Sequence, residues 1–277
     1  AQECINNNIQ PIIGTSINLL DIKFKNKISQ LSFLVKNEIG YKNLIYLSSL
    51  SYLNKNNDVG ISIADLEDHT EGLFCFIGGE FNPILILHNQ NRQTDDFINK
   101  LKRLFNNNLL FEIQRINDAE IDSFEDELLK KSNKFDIPII GTNNIKFGEE
   151  DEFQAHDALL CVAQKTTINS GNRKTSNNQI AFKDNEQMHK LFSDAPEIIN
   201  NNFNVAISCS YYPKEVLPKL PKFKNSLNLS ESELIVKLAS NGLDQKIIEN
   251  KIADKENYQE RLNYEIEIIN KMGFAGY

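Results

Sequence analysis

The stretch FDIPIIGTNNIKFGEE, residues 135–150, runs an apolar segment into Gly141 and sets Asn144 and Lys146 where the predicted strand ends. Barrels of parallel strands carry their chemistry at the strands' carboxyl ends, so an amide and an amine occupy a place suited to metal ligands. Four histidines could contribute: His69, His88, His156 and His189. His88 closes the strand predicted for PILILH and is the best single candidate for a residual ligand, although no convergent carboxylate accompanies it. His156, Asp157 and Cys161 share one predicted helix. The His156 and Cys161 spacing is not that of an i, i+4 ligand pair, so a structural role is expected. His69 reads as a loop or helix-end residue and His189 as a helix-surface residue. The acidic run Glu149, Glu150, Asp151 and Glu152 reads as a helix start that complements the macrodipole, in preference to a cation clamp. Cys4, Cys75, Cys161 and Cys209 form no CxxC pair, which argues against a disulfide framework or a zinc knuckle and for reduced structural thiols. No Ser or Cys nucleophile has a partnered His nearby in the sequence.

The elements that must position these residues are short apolar blocks alternating with helical patterns. PIIG (11–14), LSFLV (31–35), GLFCFIG (72–78), PILILH (83–88), LLFEIQ (109–114) and IPIIG (137–141) predict buried strands, with helices over 39–53, 93–105 and 118–133. Strand then helix, repeated, predicts a parallel sheet, and the right-handed crossover rule leaves a barrel or a doubly wound sheet. No Gly-rich phosphate loop follows any strand, which favours the barrel.

From about residue 151 the pattern is helical throughout. Asp184 with Gln187 predicts a capping box, and Asp194 followed by Pro196 and Glu197 starts a helix with the apolar stripe Ile199, Phe203, Ala206 and Ile207. YYPKEVLPKLPKFKNSLNLS (211–230) holds three of the seven prolines and reads as a stiff linker at a domain boundary. Lys219, Lys222 and Lys224 within it are candidates for phosphate contacts, against the simpler role of keeping the segment solvated. Ser230 with Glu233 caps the next helix. The last helix carries Leu262, Ile266 and Ile269 on one face and stops at Gly273.

The 277 residues, 40% hydrophobic and 25% charged, have ordinary globular composition. No apolar run approaches the roughly 18 residues that span a bilayer, so a soluble, cytoplasmic protein without a membrane partner is expected. The net charge of −8 opposes non-specific attraction to phosphate backbones and makes a protein partner easier to support than nucleic acid. Ala1 is not an initiator Met and KMGFAGY ends on aromatics that should lead into more structure, so a piece of a longer chain is expected.

GYKNLIYLSS (40–49), LLFEIQR (109–115), IPIIGTNNIKF (137–147), EFQAHDALLCVA (152–163), LFSDAPEIINNN (191–202) and ERLNYEIEIINKMGFAGY (260–277) occur in this order. Together they resemble the amino-terminal part of the bacterial DNA polymerase III alpha subunits, the C-family replicative polymerases, over essentially the whole chain. The resemblance implies an α/β fold: a distorted (β/α) barrel of the polymerase and histidinol phosphatase (PHP) type over 1–210, lacking its first strands. The linker 211–230 and the first helices of the polymerase palm over 231–277 would follow. It also implies truncation at both ends. A His-x-His pair would precede Ala1, and the palm's Gly-Ser segment and aspartate triad, which hold Mg2+ for nucleotidyl transfer, would follow Tyr277. No polymerisation chemistry is then expected within these residues.

Metal-competent members of that barrel type gather imidazoles and carboxylates at the strand ends, and at the matching positions this chain departs from the pattern. Ser16 stands where a glutamate is expected, Gln30 and Ile116 where histidines are, Gly79 where a cysteine can stand, and Asn144 and Lys146 in place of an Asp-x-His. An amide is a poor metal ligand and an ammonium repels a cation. A degenerate site with no metal, cofactor or catalytic residue is therefore expected, with Lys146 filling the cavity and donating to strand-end carbonyls. The resemblance implies a non-catalytic scaffold that braces the palm and docks the proofreading exonuclease subunit among other replisome proteins, in a parent chain that binds primer-template DNA. The alternatives are a metal-dependent phosphoesterase or 3′–5′ exonuclease, and a gene remnant without an independent role.

Overall fold

The computed structural model describes residues 1–24, 27–53, 58–216, 223, 225–251 and 253–277, and these divide into two compact units, Ala1–Pro213 and Lys214–Tyr277. In the first unit a short helix α1 (Gln2–Asn6) leads into strand β1 (Gly14–Phe24). Strand β2 (Lys27–Val35), helix α2 (Glu38–Leu53), strand β3 (Leu73–Gly78), and helices α3 (Pro83–Asn89) and α4 (Asp95–Phe105) come next. Strand β4 (Leu109–Gln114), helices α5 (Ala119–Asp122) and α6 (Glu125–Phe135), strand β5 (Ile139–Thr142), and helices α7 (Phe153–Gln164), α8 (Asn185–Leu191) and α9 (Pro196–Ser208) complete the unit.

The strands form one sheet in the order β1-β2-β3-β4-β5. β1 pairs antiparallel with β2 and β2 with β3, whereas β3, β4 and β5 run parallel. The expected α/β class holds, but the sheet is neither all-parallel nor closed into a barrel. The reason is local. Phe24 pairs directly with Lys27, so β1 and β2 make a hairpin with no room for the crossover helix that parallel neighbours need.

Alternation along the strands divides the buried residues between two faces. Leu31, Phe33 and Val35, Leu73, Cys75 and Ile77, and Leu109, Phe111 and Ile113 share one cluster with the inward faces of α2, α3 and α4. Their even-numbered neighbours Phe74, Phe76, Leu110 and Ile140 form a second cluster with Val205 and Cys209. Val205 lies on α9, which lies against β5.

PILILH is helix α3 rather than a strand. Asn82 accepts the N–H of Ile84 at 2.9 Å and Pro83 takes the first helical position, where its missing N–H costs nothing. Pro83 to Leu87 are all buried, so no periodicity marks the helix. PIIG is likewise not a strand except at Gly14, where the long β1 begins.

Both outer strands have partners along part of their free sides. On β5, Gly141 donates its N–H to Asn202 Oδ1 at 3.0 Å and accepts from Asn202 Nδ2 at 2.6 Å, while Asn201 Nδ2 donates to the Ile139 carbonyl at 2.8 Å. On β1, the Leu20 N–H reaches the Ile61 carbonyl at 2.8 Å and the Ile61 N–H reaches the Asn18 carbonyl at 2.9 Å. Gly141 must lack a side chain because a Cβ would lie 2.8 Å from the ring of Phe192. The face of α9 that turns inward is therefore Ile198, the two asparagines and Val205. Phe203 and Ile207, expected on the apolar stripe, are exposed.

In the second unit, helix α10 (Glu231–Asn250) starts at the predicted box, with the Ser230 N–H donating to Glu233 Oε2 at 2.9 Å. Helix α11 (Lys255–Lys271) buries Ile266 and ends before Gly273, whose φ of 72° favours glycine. Lys219, Lys222 and Lys224 lie outside the described residues. No helix of the described residues is long and apolar enough to cross a membrane.

Replacing Asn202 with alanine leaves the Gly141 N–H and carbonyl without their partner. The expected loss is about 1–3 kcal/mol of unfolding free energy, read from urea denaturation of the purified chain.

Candidate functional site

The second face of the sheet changes character along its length. Where Phe74, Phe76, Leu110 and Ile140 are apolar, the same parity continued to the carboxyl ends of β3, β4 and β5 gives Gly78, Glu112, Gln114 and Thr142. Ser16 and Ser32 from the hairpin, with their hydroxyl oxygens 2.7 Å apart, join Gln30, which donates to Asn18 Oδ1 at 2.9 Å. All of these groups except Thr142 and Asn18, together with Asn143 to Lys146, line a cleft of about 440 Å³, with Gly79, Glu80 and Phe81 on the β3 side.

Five of the six positions expected at a degenerate metal site thus converge: Ser16, Gln30, Gly79, Asn144 and Lys146. Ile116 does not. It is buried away from the cleft, with its carbonyl accepting from Asn177 Nδ2 at 3.2 Å. Lys146 is exposed at the rim and does not fill the cavity. Its backbone N–H donates to the Ile180 carbonyl at 3.0 Å, and among the described residues its ammonium makes none of the strand-end hydrogen bonds expected of it. The backbone of Gly79 has φ 66°, and a Cβ there would lie 3.1 Å from the Gln114 amide, so a glycine suits both the turn and the packing.

Two carboxylates line the cleft, and both are engaged. Glu80 pairs with Lys174 at 2.5 Å. Glu112 has its carboxyl end enclosed, accepting from Thr142 Oγ1 and from Gln114 Nε2, the latter at 3.1 Å. Gln114 Nε2 also reaches Thr142 Oγ1 at 3.2 Å, which closes a triangle across β4 and β5. Burial pushes the Glu112 carboxyl above the usual range, and the two donors oppose that shift. Among the described residues no imidazole lines the cleft, and no three His, Cys, Asp or Glu side chains are placed to hold an ion together. This donor set, amides and hydroxyls with one ammonium and two occupied carboxylates, does not fit a resident divalent ion.

The histidines lie elsewhere. His88 sits exposed at the end of α3, its ring 5.2 Å from that of Phe124, so it is not a strand-end ligand. His156 Nδ1 is 2.7 Å from Ser176 Oγ, and the neighbouring Asp157 is held by the Arg173 guanidinium at 2.7 and 2.8 Å. Arg173 and the Ser176 N–H hold the Asp157 carboxyl well below its usual range. His69 stacks on Tyr46 with ring centroids 4.0 Å apart, and His189 is exposed on α8. In the acidic run, Glu152 Oε2 accepts the backbone N–H groups of Gly148 and Glu149 at 2.9 and 3.0 Å, a helix-start role.

Arg115 lies just past β4 and joins several elements. It donates to Glu125 of α6 and to Asp194 ahead of α9, with closest approaches of 2.6 Å to each, and to the Leu191 carbonyl at 2.7 Å. Its guanidinium lies 4.7 Å from the centroid of Phe192. Asp194 is therefore an ion partner, and Ala195 is the residue that precedes α9.

Residues 1–116 match the family model described as the PHP domain. The chain is 34% identical over 289 residues to the DNA polymerase III subunit alpha of Rickettsia bellii, covering 99% of this chain and 24% of that protein. The same-named protein of Caulobacter vibrioides is 30% identical, and that of Borreliella burgdorferi 31%, each over 97% of this chain and 24% of the relative. The chain spans about a quarter of the length of these relatives.

Glu112 makes stability depend on pH. Below the ordinary glutamate range both states are protonated and burial imposes no penalty. As pH rises through that range the unfolded chain ionises first and stability falls, until the folded-state pKa is passed. Glu112→Gln removes this dependence while keeping an acceptor for Thr142. The variant is expected to gain stability over the parent between pH 4 and pH 7, in urea melts at the two values.

Proposed function

We propose that this chain, which matches an amino-terminal fragment of the DNA polymerase III alpha subunit, serves that polymerase as a non-catalytic PHP scaffold. In this reading the parent protein is a cytoplasmic DNA-directed DNA polymerase acting on primer-template DNA with Mg2+, and the first unit braces the catalytic part. A docking surface for the proofreading exonuclease subunit belongs to the same reading, and the acidic net charge of −8 favours a protein partner over nucleic acid on this part.

One observation carries the reading. The cleft at the strand ends presents hydroxyls, amides and an ammonium, and its two carboxylates are taken by Lys174 and by the Thr142 and Gln114 pair. Water activation by a bound ion needs several N or O ligands around an open position, and neutral amides beside a lysine work against that assembly.

The purified chain is expected to hold far less than one equivalent of zinc or manganese by elemental analysis. Asn144→Asp with Lys146→His should not restore tight binding, since Ser16, Gln30 and Gly79 also depart from ligand chemistry. Near-stoichiometric metal in the unaltered chain would instead support the phosphoesterase or exonuclease alternative. Immobilised chain is expected to capture the purified proofreading exonuclease subunit, and failure of that capture would remove the docking role.

A further inference from the structure

The segment that follows α7 touches all three loops at the carboxyl ends of the parallel strands, and three residues it bonds to, Glu80, Asn143 and Lys146, line the cleft. Lys174 pairs with Glu80 after β3 at 2.5 Å. Asn177 Nδ2 donates to the Ile116 carbonyl after β4 at 3.2 Å. After β5, the Lys146 N–H donates to the Ile180 carbonyl at 3.0 Å, the Phe182 N–H donates to the Phe147 carbonyl at 2.9 Å, and Asn143 Nδ2 donates to the Ala181 carbonyl. Ile180 and Ala181 are themselves buried.

The near end of the segment is fastened to α7. The Arg173 guanidinium binds Asp157 with both Nη atoms, the Ser176 N–H reaches Asp157 Oδ1 at 2.8 Å, and His156 meets Ser176 Oγ at 2.7 Å. Gln164 exchanges two hydrogen bonds with the Lys174 backbone, at 3.0 and 3.1 Å. Apart from the exposed Lys174 pair, these are bonds to backbone or partly buried groups, which fix a segment in place better than surface ion pairs do.

We propose that residues 174–182 act as a strap that sets the spacing of the three strand-end loops. The proposal rests on the scaffold reading in one respect. An ion that draws ligands from several loops ties those loops together, and here the strap supplies that tie with backbone and side-chain bonds. The shape of the cleft is then a property of the strap as much as of the sheet.

The test is amide hydrogen exchange by mass spectrometry on the full chain and on Lys174→Ala with Asn177→Ala. The Lys174 ammonium and Asn177 Nδ2 make their contacts at the loops, Asn177 Oδ1 also accepts the Gln179 N–H at 2.7 Å within the segment, and neither side chain is part of the hydrophobic clusters. Exchange is expected to quicken by about tenfold in peptides covering 79–82, 116–118 and 143–147 together, with β2, β3 and α4 unchanged. Quickening confined to 174–182, or none, overturns the strap. Asp157→Asn, which loosens the anchor on α7, should reproduce the pattern at the same three loops. If that variant does not fold, the double variant decides alone. Metal content of the same samples separates the two ideas. Coupled loops in a chain that holds stoichiometric metal would refute the scaffold reading and leave the strap. Uncoupled loops in a metal-poor chain would refute the strap alone.

Discussion

An open sheet leaves a row of backbone donors and acceptors on each outer strand, and the arrangement of the first unit follows from how those rows are satisfied. β5 meets amide side chains. Asn202 offers Gly141 one donor and one acceptor, as a neighbouring strand would, and Asn201 takes the next carbonyl. This demand brings α9 against the edge, and with it Val205 over the second cluster and Ile198 into the first. β1 is served differently, by a single bridge to Ile61, beside which its own Asp21 carboxylate accepts the Ile63 N–H at 2.6 Å.

The cleft is a consequence of the same sheet. A face that is apolar at one end and polar at the other needs cover only over its apolar part, so α9 covers the residues around Phe74 and Leu110 and the polar strand ends remain open. Glu112 sits where the two regimes meet. It is close enough to the core for burial to disfavour its charge, yet it faces Thr142 and Gln114, which accommodate its carboxyl by hydrogen bonding. Around it, the Ser16 and Ser32 hydroxyls pair with each other and Gln30 pairs with Asn18, while Gln114 Oε1 and Asn143 Oδ1 are buried without a partner among the described residues.

Much of this was legible in the sequence. LSFLV, GLFCFIG, LLFEIQ and IPIIG are short apolar runs bounded by turn residues, and each holds a strand. The ten residues after Gly14 hold no apolar block: core-facing Ile17 and Leu19 alternate with polar Ser16 and Asn18, so the strand there is marked by alternation alone. PILILH was misread because a helix buried all round has no period, and only Asn82 and Pro83 marked it. The convergence of Ser16, Gln30, Gly79, Asn144 and Lys146 followed from the resemblance, whereas Ile116 turned inward. Glu112 and Gln114 were missed although both stand at one parity in an otherwise apolar strand, which is a readable signal. The pairing of Glu80 with Lys174, 94 residues apart, left no local trace.

Arg115 shows how few atoms hold the unit's far corner together. A planar guanidinium presents five N–H groups in fixed directions, and here they serve two acids and a carbonyl while the flat face rests on Phe192. Lysine carries the same charge but has no plane to lay on the ring and only three donors on one tetrahedral centre. The position therefore distinguishes two residues of equal charge, because only the planar fork can hold Glu125 of α6 and Asp194 ahead of α9 with paired bonds at once.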